Sequence, residues 1–180
     1  MVCNTCQKDG HNSRTCPMVS STTKEITINL EEEIIEKLFF LIDIVKEVAH
    51  ILKKGRTEGV YQKAICHELQ SYKIFYTEEE TIPILYKDKY VGQERLDIVL
   101  TSFLDFIFEL KAISCDLKSD HYWQVLSYMK YKNCNYGMVV NFNQSPTKDL
   151  SYEFIIIKEG TPYLFDLLTD TGIELIDYQF

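Results

Sequence analysis

The chain has 180 residues, a formal net charge of −8, and an apolar share of 46%. That share supports one domain with a real core plus a small appendage, and excludes a disordered chain. The absence of any apolar run of membrane-spanning length, together with a polar N-terminus, points to an intracellular protein with no membrane partner. The acidic balance argues against tight nonspecific binding to nucleic acid, which needs clustered Lys and Arg, but leaves room for a locally basic cleft.

Residues 3–16 read C-N-T-C-Q-K-D-G-H-N-S-R-T-C, which spaces Cys3, Cys6, His11 and Cys16 as C-x2-C-x4-H-x4-C. Three thiolates and an imidazole on such short loops suit a tetrahedral zinc ion, and Gly10 permits the tight turn before the histidine. The segment resembles the CCHC zinc knuckle, including the G-H-N-S-R-T-C-P form seen beside some plant MYB-like domains. Knuckles often grip single strands by stacking aromatic or apolar residues on bases. Asn4 and Asn12 stand at those positions here, so Lys8 and Arg14 remain as phosphate or base contacts, and a protein-contact role stays open.

A Ser/Thr-rich run follows and reads as a linker, taken over 19–29. Residues 30–54 carry apolar side chains at helical spacing, from Ile34 and Ile35 through Leu38, Leu41 and Val45 to Leu52. Three glutamates at the start and two lysines at the end suit the helix dipole, and Gly55 is the expected stop. His50 reads as structural or solvated. A second helix is expected from an N-cap at Thr57 to about Tyr72, with Glu58 and Tyr61 on one face of its first turn.

Short strands are expected over 74–76, 82–86 and 90–91, with a turn over 87–89. Residues 93–112 then read Q-E-R-L-D-I-V-L-T-S-F-L-D-F-I-F-E-L-K-A, two apolar runs about a break at 102–105. This is a hairpin pattern whose arms look like central strands covered on both faces. A turn centred on Phe103 places Asp97 across from Glu109, and the two-residue repeat puts Lys111 on the same face as Glu109. Two carboxylates and an ammonium would then meet in a greasy sheet, where a divalent cation is the simplest compensation. A one-residue slip would separate them.

Ser119 or Asp120 can cap a helix running to about Lys132, with Tyr122, Val125, Leu126 and Met129 as its buried stripe and Gln124, Tyr128 and Tyr131 as a separate polar-aromatic face. Residues 136–142 form an apolar strand, so 105–142 reads as a β-α-β crossover in a mixed α/β sheet. From Glu153 onward the pattern is a three-stranded antiparallel meander without a site-like cluster. Cys66, Cys115 and Cys134 are expected to be buried reduced thiols.

G-R-T-E-G-V-Y at 55–61, R-L-D at 95–97, E-L-K at 109–111 and Q-V-L-S-Y at 124–128 together resemble the GxxExxY family, itself similar to the PD-(D/E)XK nuclease superfamily. The resemblance spans about 30–145, between the knuckle (1–18) and a C-terminal β extension (146–180). It implies a restriction-endonuclease-like mixed sheet flanked by helices. It also implies magnesium or manganese held by Asp97 and Glu109, with Glu58 as a third ligand or a water-orienting group. Lys111 would stabilise charge on the phosphate, and Gln124 and Tyr128 match the Q-x-x-x-Y motif beside the site in exonuclease-like branches. Leu96 stands where the superfamily signature has proline. The substrate so implied is DNA or RNA. A noncatalytic nucleic-acid or protein adaptor on the same fold is the alternative, since a fold hosts more than one function.

Overall fold

The computed structural model describes residues 25–175. Along that span run β1 (Glu25–Thr27), α1 (Glu32–Leu52), α2 (Glu58–Ser71), β2 (Tyr76–Tyr86), β3 (Lys89–Leu100), β4 (Phe106–Lys111), α3 (Ser119–Lys132), β5 (Tyr136–Asn141), β6 (Ser151–Lys158), β7 (Thr161–Asp166) and β8 (Thr171–Glu174). The strands form one sheet in the order β1-β8-β7-β6-β5-β4-β3-β2. Cys3, Cys6, His11 and Cys16, the expected zinc ligands, lie outside the described residues. Among the described residues no helix is long and apolar enough to cross a membrane.

The register of the central hairpin follows from its two apolar arms. Ile98 pairs with Phe108, Val99 with Ile107 and Leu100 with Phe106, which centres the turn on Phe103. β4 and β5 are parallel and joined through α3, so the crossover expected over 105–142 is present. Each arm is buried on both faces, Leu96 to Leu100 on one side of the turn and Phe106 to Leu110 on the other. Alternation then divides the sheet between two cores. Ile98, Leu100, Phe106, Phe108 and Leu110 pack with α1 and α2, whereas Val99, Ile107 and Val139 pack under α3, joined there by Leu96, which falls out of step beyond Asp97.

Several local features depart from the sequence reading. Glu25–Thr27, inside the segment expected to be a linker, is a strand paired with β8, and Ile28 beyond it is fully buried. The short strands expected over 74–91 are two long arms, joined at Lys87 and Asp88, which both take positive φ (49° and 63°) as a two-residue hairpin turn requires. α1 ends at Leu52, and Lys53 rather than Gly55 takes the first left-handed position, with φ 55°. α3 is capped by Lys118, not Ser119 or Asp120. Cys115 is exposed, while Cys66 and Cys134 are buried as expected. The meander β6-β7-β8 pairs onto β5 and so continues the same sheet.

The approach of α3 to the sheet is set by Gly137 on β5. A Cβ there would lie 2.7 Å from Val125 Cγ1 and 3.0 Å from Met129 Sδ. Gly137→Ala is therefore expected to push α3 outward and to cost about 1–3 kcal/mol as an overpacked core. Urea unfolding of the two proteins measures this, and equal midpoints would show that α3 yields without strain.

Candidate active site

Asp97 sits where the sheet opens on both sides. The β2–β3 pairs pass from Glu78–Ile98 to Glu80–Leu96 without it, and the β3–β4 pairs stop at Ile98–Phe108. Glu79, in the gap opposite, takes φ 56°, a left-handed conformation costly for a residue with a Cβ. The register does bring Asp97 opposite Glu109, but a side chain closes the gap in place of a ladder pair. Leu110 N–H donates to Asp97 Oδ2 at 2.7 Å, and Gln62 Nε2 donates to the Asp97 carbonyl at 3.1 Å. Gln62 is one helical turn beyond Glu58 and almost fully buried, so this bond ties the start of α2 to the site. It was detectable in the sequence only as the i+4 neighbour of Glu58.

Glu109 alternates along β4 with Phe108 and Leu110, which face α1 and α2, so its side chain and that of Lys111 stand on the α3 side. Glu109 is 1% exposed. Its Oε1 is paired with the Lys111 ammonium, while its Oε2 is buried without a hydrogen-bond partner. Desolvation first, and then the Asp97 charge, push the Glu109 carboxyl up to about 8. Burial also raises Asp97, opposed by the Leu110 N–H bond and by the charges of Lys111 and Arg95. Glu58, at the first position of α2, is half-buried. Its carboxyl is raised by desolvation, countered first by the Lys111 charge and last by the Ala112 backbone just past β4.

From the other face α3 contributes Gln124 and Tyr128. Gln124 Nε2 donates to the Tyr128 hydroxyl at 2.8 Å, and that hydroxyl donates to the Arg95 carbonyl at 3.2 Å. Tyr128 is 1% exposed, which corrects the polar-aromatic face expected for it: the ring belongs with Val125, Leu126 and Met129, and only Tyr131 is exposed. Burial raises the phenol, helped by the nearby charges of Glu109, Glu94 and Asp97. Gln124 and Tyr128 thus stand beside the carboxylates and hold the β3 backbone two residues before Asp97.

His121, one turn before Gln124, was not singled out in the sequence, although His121, Gln124 and Tyr128 follow i, i+3, i+7 spacing. Its Nδ1 accepts the Lys118 N–H at 3.1 Å, and burial, then the Lys111 charge, lower its pKa. Tyr61, the last residue of the G-x-x-E-x-x-Y run, is fully buried and turned away from the carboxylates. It stacks on Phe142 with ring centroids 4.1 Å apart and donates to the Lys53 carbonyl at 2.6 Å, fixing the α1–α2 turn that carries Glu58.

The donor set fits a hard divalent cation. Glu109 Oε2 is an unpartnered buried oxygen beside a second carboxylate, and oxygen ligands with retained waters are what magnesium takes. Among the described residues no three His, Cys, Asp or Glu side chains are grouped to hold an ion by themselves. An ion here would draw on Asp97 and Glu109 and complete its shell with water or substrate oxygens.

Glu109 also sets a pH dependence. Its proton is held more tightly in the folded protein than in the unfolded chain, where the ordinary value is 4.5. The stabilisation is therefore complete below about 4.5 and lost as pH rises through about 8. In chelator, thermal stability is expected to fall across that window. Glu109→Gln should flatten the fall and be the more stable protein at pH 8. Parallel wild-type and variant profiles would show that Glu109 does not titrate there.

A family model described as the PD-(D/E)XK nuclease superfamily matches residues 23–153, a span that includes Glu58, Asp97, Glu109, Lys111, Gln124 and Tyr128. Among curated proteins no match is found. The eight-stranded mixed sheet with helices on both faces agrees with that fold, and the match covers well over half of the chain. The chain belongs to the PD-(D/E)XK nuclease superfamily.

Proposed function

We propose that this protein is a divalent-metal-dependent nuclease that hydrolyses phosphodiester bonds in DNA or RNA, and that it falls in the GxxExxY branch of its superfamily. The observation that carries this reading is the buried, unpartnered Oε2 of Glu109 beside Asp97, with a lysine on the same strand. A relic kept only for its fold would gain stability by losing two adjacent buried carboxylates. Asp97 and Glu109 would hold magnesium or manganese, which supplies a water of lowered pKa and offsets charge on the phosphate. Lys111, a compact point charge, leaves Glu109 to meet the phosphate oxygens or to position the attacking water. Glu58, at the first position of α2, orients that water from the α2 side. Gln124 and Tyr128 keep the Arg95–Asp97 backbone in place from the α3 side.

Asp97→Ala, Glu109→Ala and Lys111→Ala are each expected to lower magnesium- or manganese-dependent cleavage by orders of magnitude while remaining folded. Calorimetric titration separates the roles. The two carboxylate variants should lose metal affinity, whereas Lys111→Ala should keep it, since a protonated lysine is no cation ligand. Wild-type protein that binds metal but cuts neither DNA nor RNA would favour the adaptor function. Wild-type protein that binds no metal at millimolar concentration would remove the site.

Cys3, Cys6, His11 and Cys16 would hold one structural zinc, a reading supported by their spacing and donor chemistry. The knuckle would recruit substrate or a partner protein. Metal analysis is expected to give about one zinc per chain, lost in a Cys3→Ser/Cys6→Ser double variant. Unchanged zinc in that variant would place the ion elsewhere.

A further inference from the structure

On the α1 side of the sheet lies a cavity of about 680 Å³ that the catalytic reading leaves without a role. Its volume is in the range of small-ligand sites. Ala49, Phe142 and Leu150 give it an apolar wall, Lys46 and His50 line it from α1, and Lys53 and Lys54 line it from just past the helix. Lys46 and His50, four residues apart, share one face of the helix end, and Lys53 follows them as the residue that ends the helix. Among the described residues neither Lys46 nor Lys53 makes an ion pair, and both are exposed. In a chain of net charge −8 this is a local excess of positive charge, opposed within the lining by Asp149 alone.

The cavity is also built into the same joint as the carboxylate site. Lys54 donates to the Ser145 carbonyl at 2.7 Å and also to that of Lys148. Gln144 accepts the Gly55 N–H at 2.7 Å and donates to the Tyr61 hydroxyl at 3.4 Å. These bonds clamp the α1–α2 turn to the segment after β5. Lys53 and Lys54 thus stand just ahead of Glu58, and Phe142 N–H donates to the Lys111 carbonyl at 2.8 Å. Cavity and carboxylates lie at the same ends of β4 and β5, on opposite faces, joined over the Gly55 turn.

We propose that this cavity is a subsite for a nucleotide of the substrate strand beyond the cleaved bond, where the strand passes over the Gly55 turn; the inference rests on the nuclease reading. Lys46 and Lys53 take the phosphates, and the partly exposed Ala49 and Leu150, over the buried Phe142, take the flat base. The two chemistries match the two halves of a nucleotide: a doubly lysine-lined rim for the anion, and a hydrocarbon surface for the ring.

The test is anisotropy of a fluorescein-labelled 12-nucleotide single strand with the full chain in chelator, so that no cleavage occurs. Lys46→Glu/Lys53→Glu is expected to raise Kd at least tenfold and to reduce the slope of log K against log salt by about 1.4, two phosphates at about 0.7 each. Lys63→Glu, the same kind of charge change on the exposed face of α2, should shift Kd less than twofold. Ala49→Phe fills the cavity without altering charge, and should weaken binding with the salt slope kept. Circular dichroism melts confirm that each variant is folded.

If the double variant binds no more weakly than Lys63→Glu, or if the wild type binds no strand, the subsite is overturned. Turnover in magnesium or manganese is read separately. Cleavage with unchanged affinity in the double variant removes the subsite and keeps the nuclease. Cavity-dependent binding without cleavage supports the subsite and removes the nuclease.

Discussion

The structure is organised around the cost of keeping two carboxylates side by side in the middle of a sheet. Glu109 is buried with one oxygen paired to Lys111 and the other unpartnered, and Asp97 lies opposite it in the hairpin. Left alone, such a pair repels and loses its hydration, which is why the Glu109 carboxyl rises to about 8. What the surrounding structure supplies is partial compensation: one ammonium, one backbone N–H on Asp97, and an interrupted ladder on both sides of it. The remainder is a deficit of positive charge located at one point. A cation fits that deficit, and so does a proton, with opposite consequences for chemistry.

The helices make sense as clamps on that point. α2 reaches it with Glu58 and Gln62, one turn apart, the first within the field of Lys111 and Asp97 and the second holding the Asp97 carbonyl. α3 reaches it from the opposite face with Gln124 and Tyr128, whose bonded pair ends on the Arg95 carbonyl. Backbone positions 95 and 97 are therefore gripped from both sides of the sheet by side-chain amides and a phenol. An interrupted strand would otherwise be free to slip, and a slip of one residue would carry Asp97 away from Glu109.

The register of the hairpin was legible in the sequence because both arms are long enough, and apolar enough, to admit one symmetric turn about Phe103. The crossover was legible for the same reason: two buried strands with a helix between them have one ordinary connection. Local side-chain periodicity could not show the gap around Asp97, since a left-handed Glu79 leaves no mark on the apolar pattern. Nor could it show the burial of Tyr128. A tyrosine fits a polar face and a core equally well, and its hydroxyl is satisfied by Gln124 and by Arg95, distant in sequence. β1 was missed because Glu25–Thr27 is a strand by virtue of β8, a partner almost 150 residues away, and not by its own three residues.

A net charge of −8 weighs against a nucleic-acid enzyme only if charge is taken as spread evenly over the surface. In the folded chain it is not. The first turn of α1 carries Glu32 and Glu33, while Lys46, Lys53 and Lys54 collect toward its other end, beside the turn that presents Glu58. Glu32 and Glu33 at the helix start thus lie apart from Lys53 and Lys54 just past its end, although Asp43 and Glu47 share the second half of α1 with Lys46, and Lys54 meets the segment after β5. Phosphate contacts within a Debye length of about 8 Å feel that local field, while the distant glutamates are largely screened. Net charge limits where along this surface a strand can lie; it does not decide whether one can.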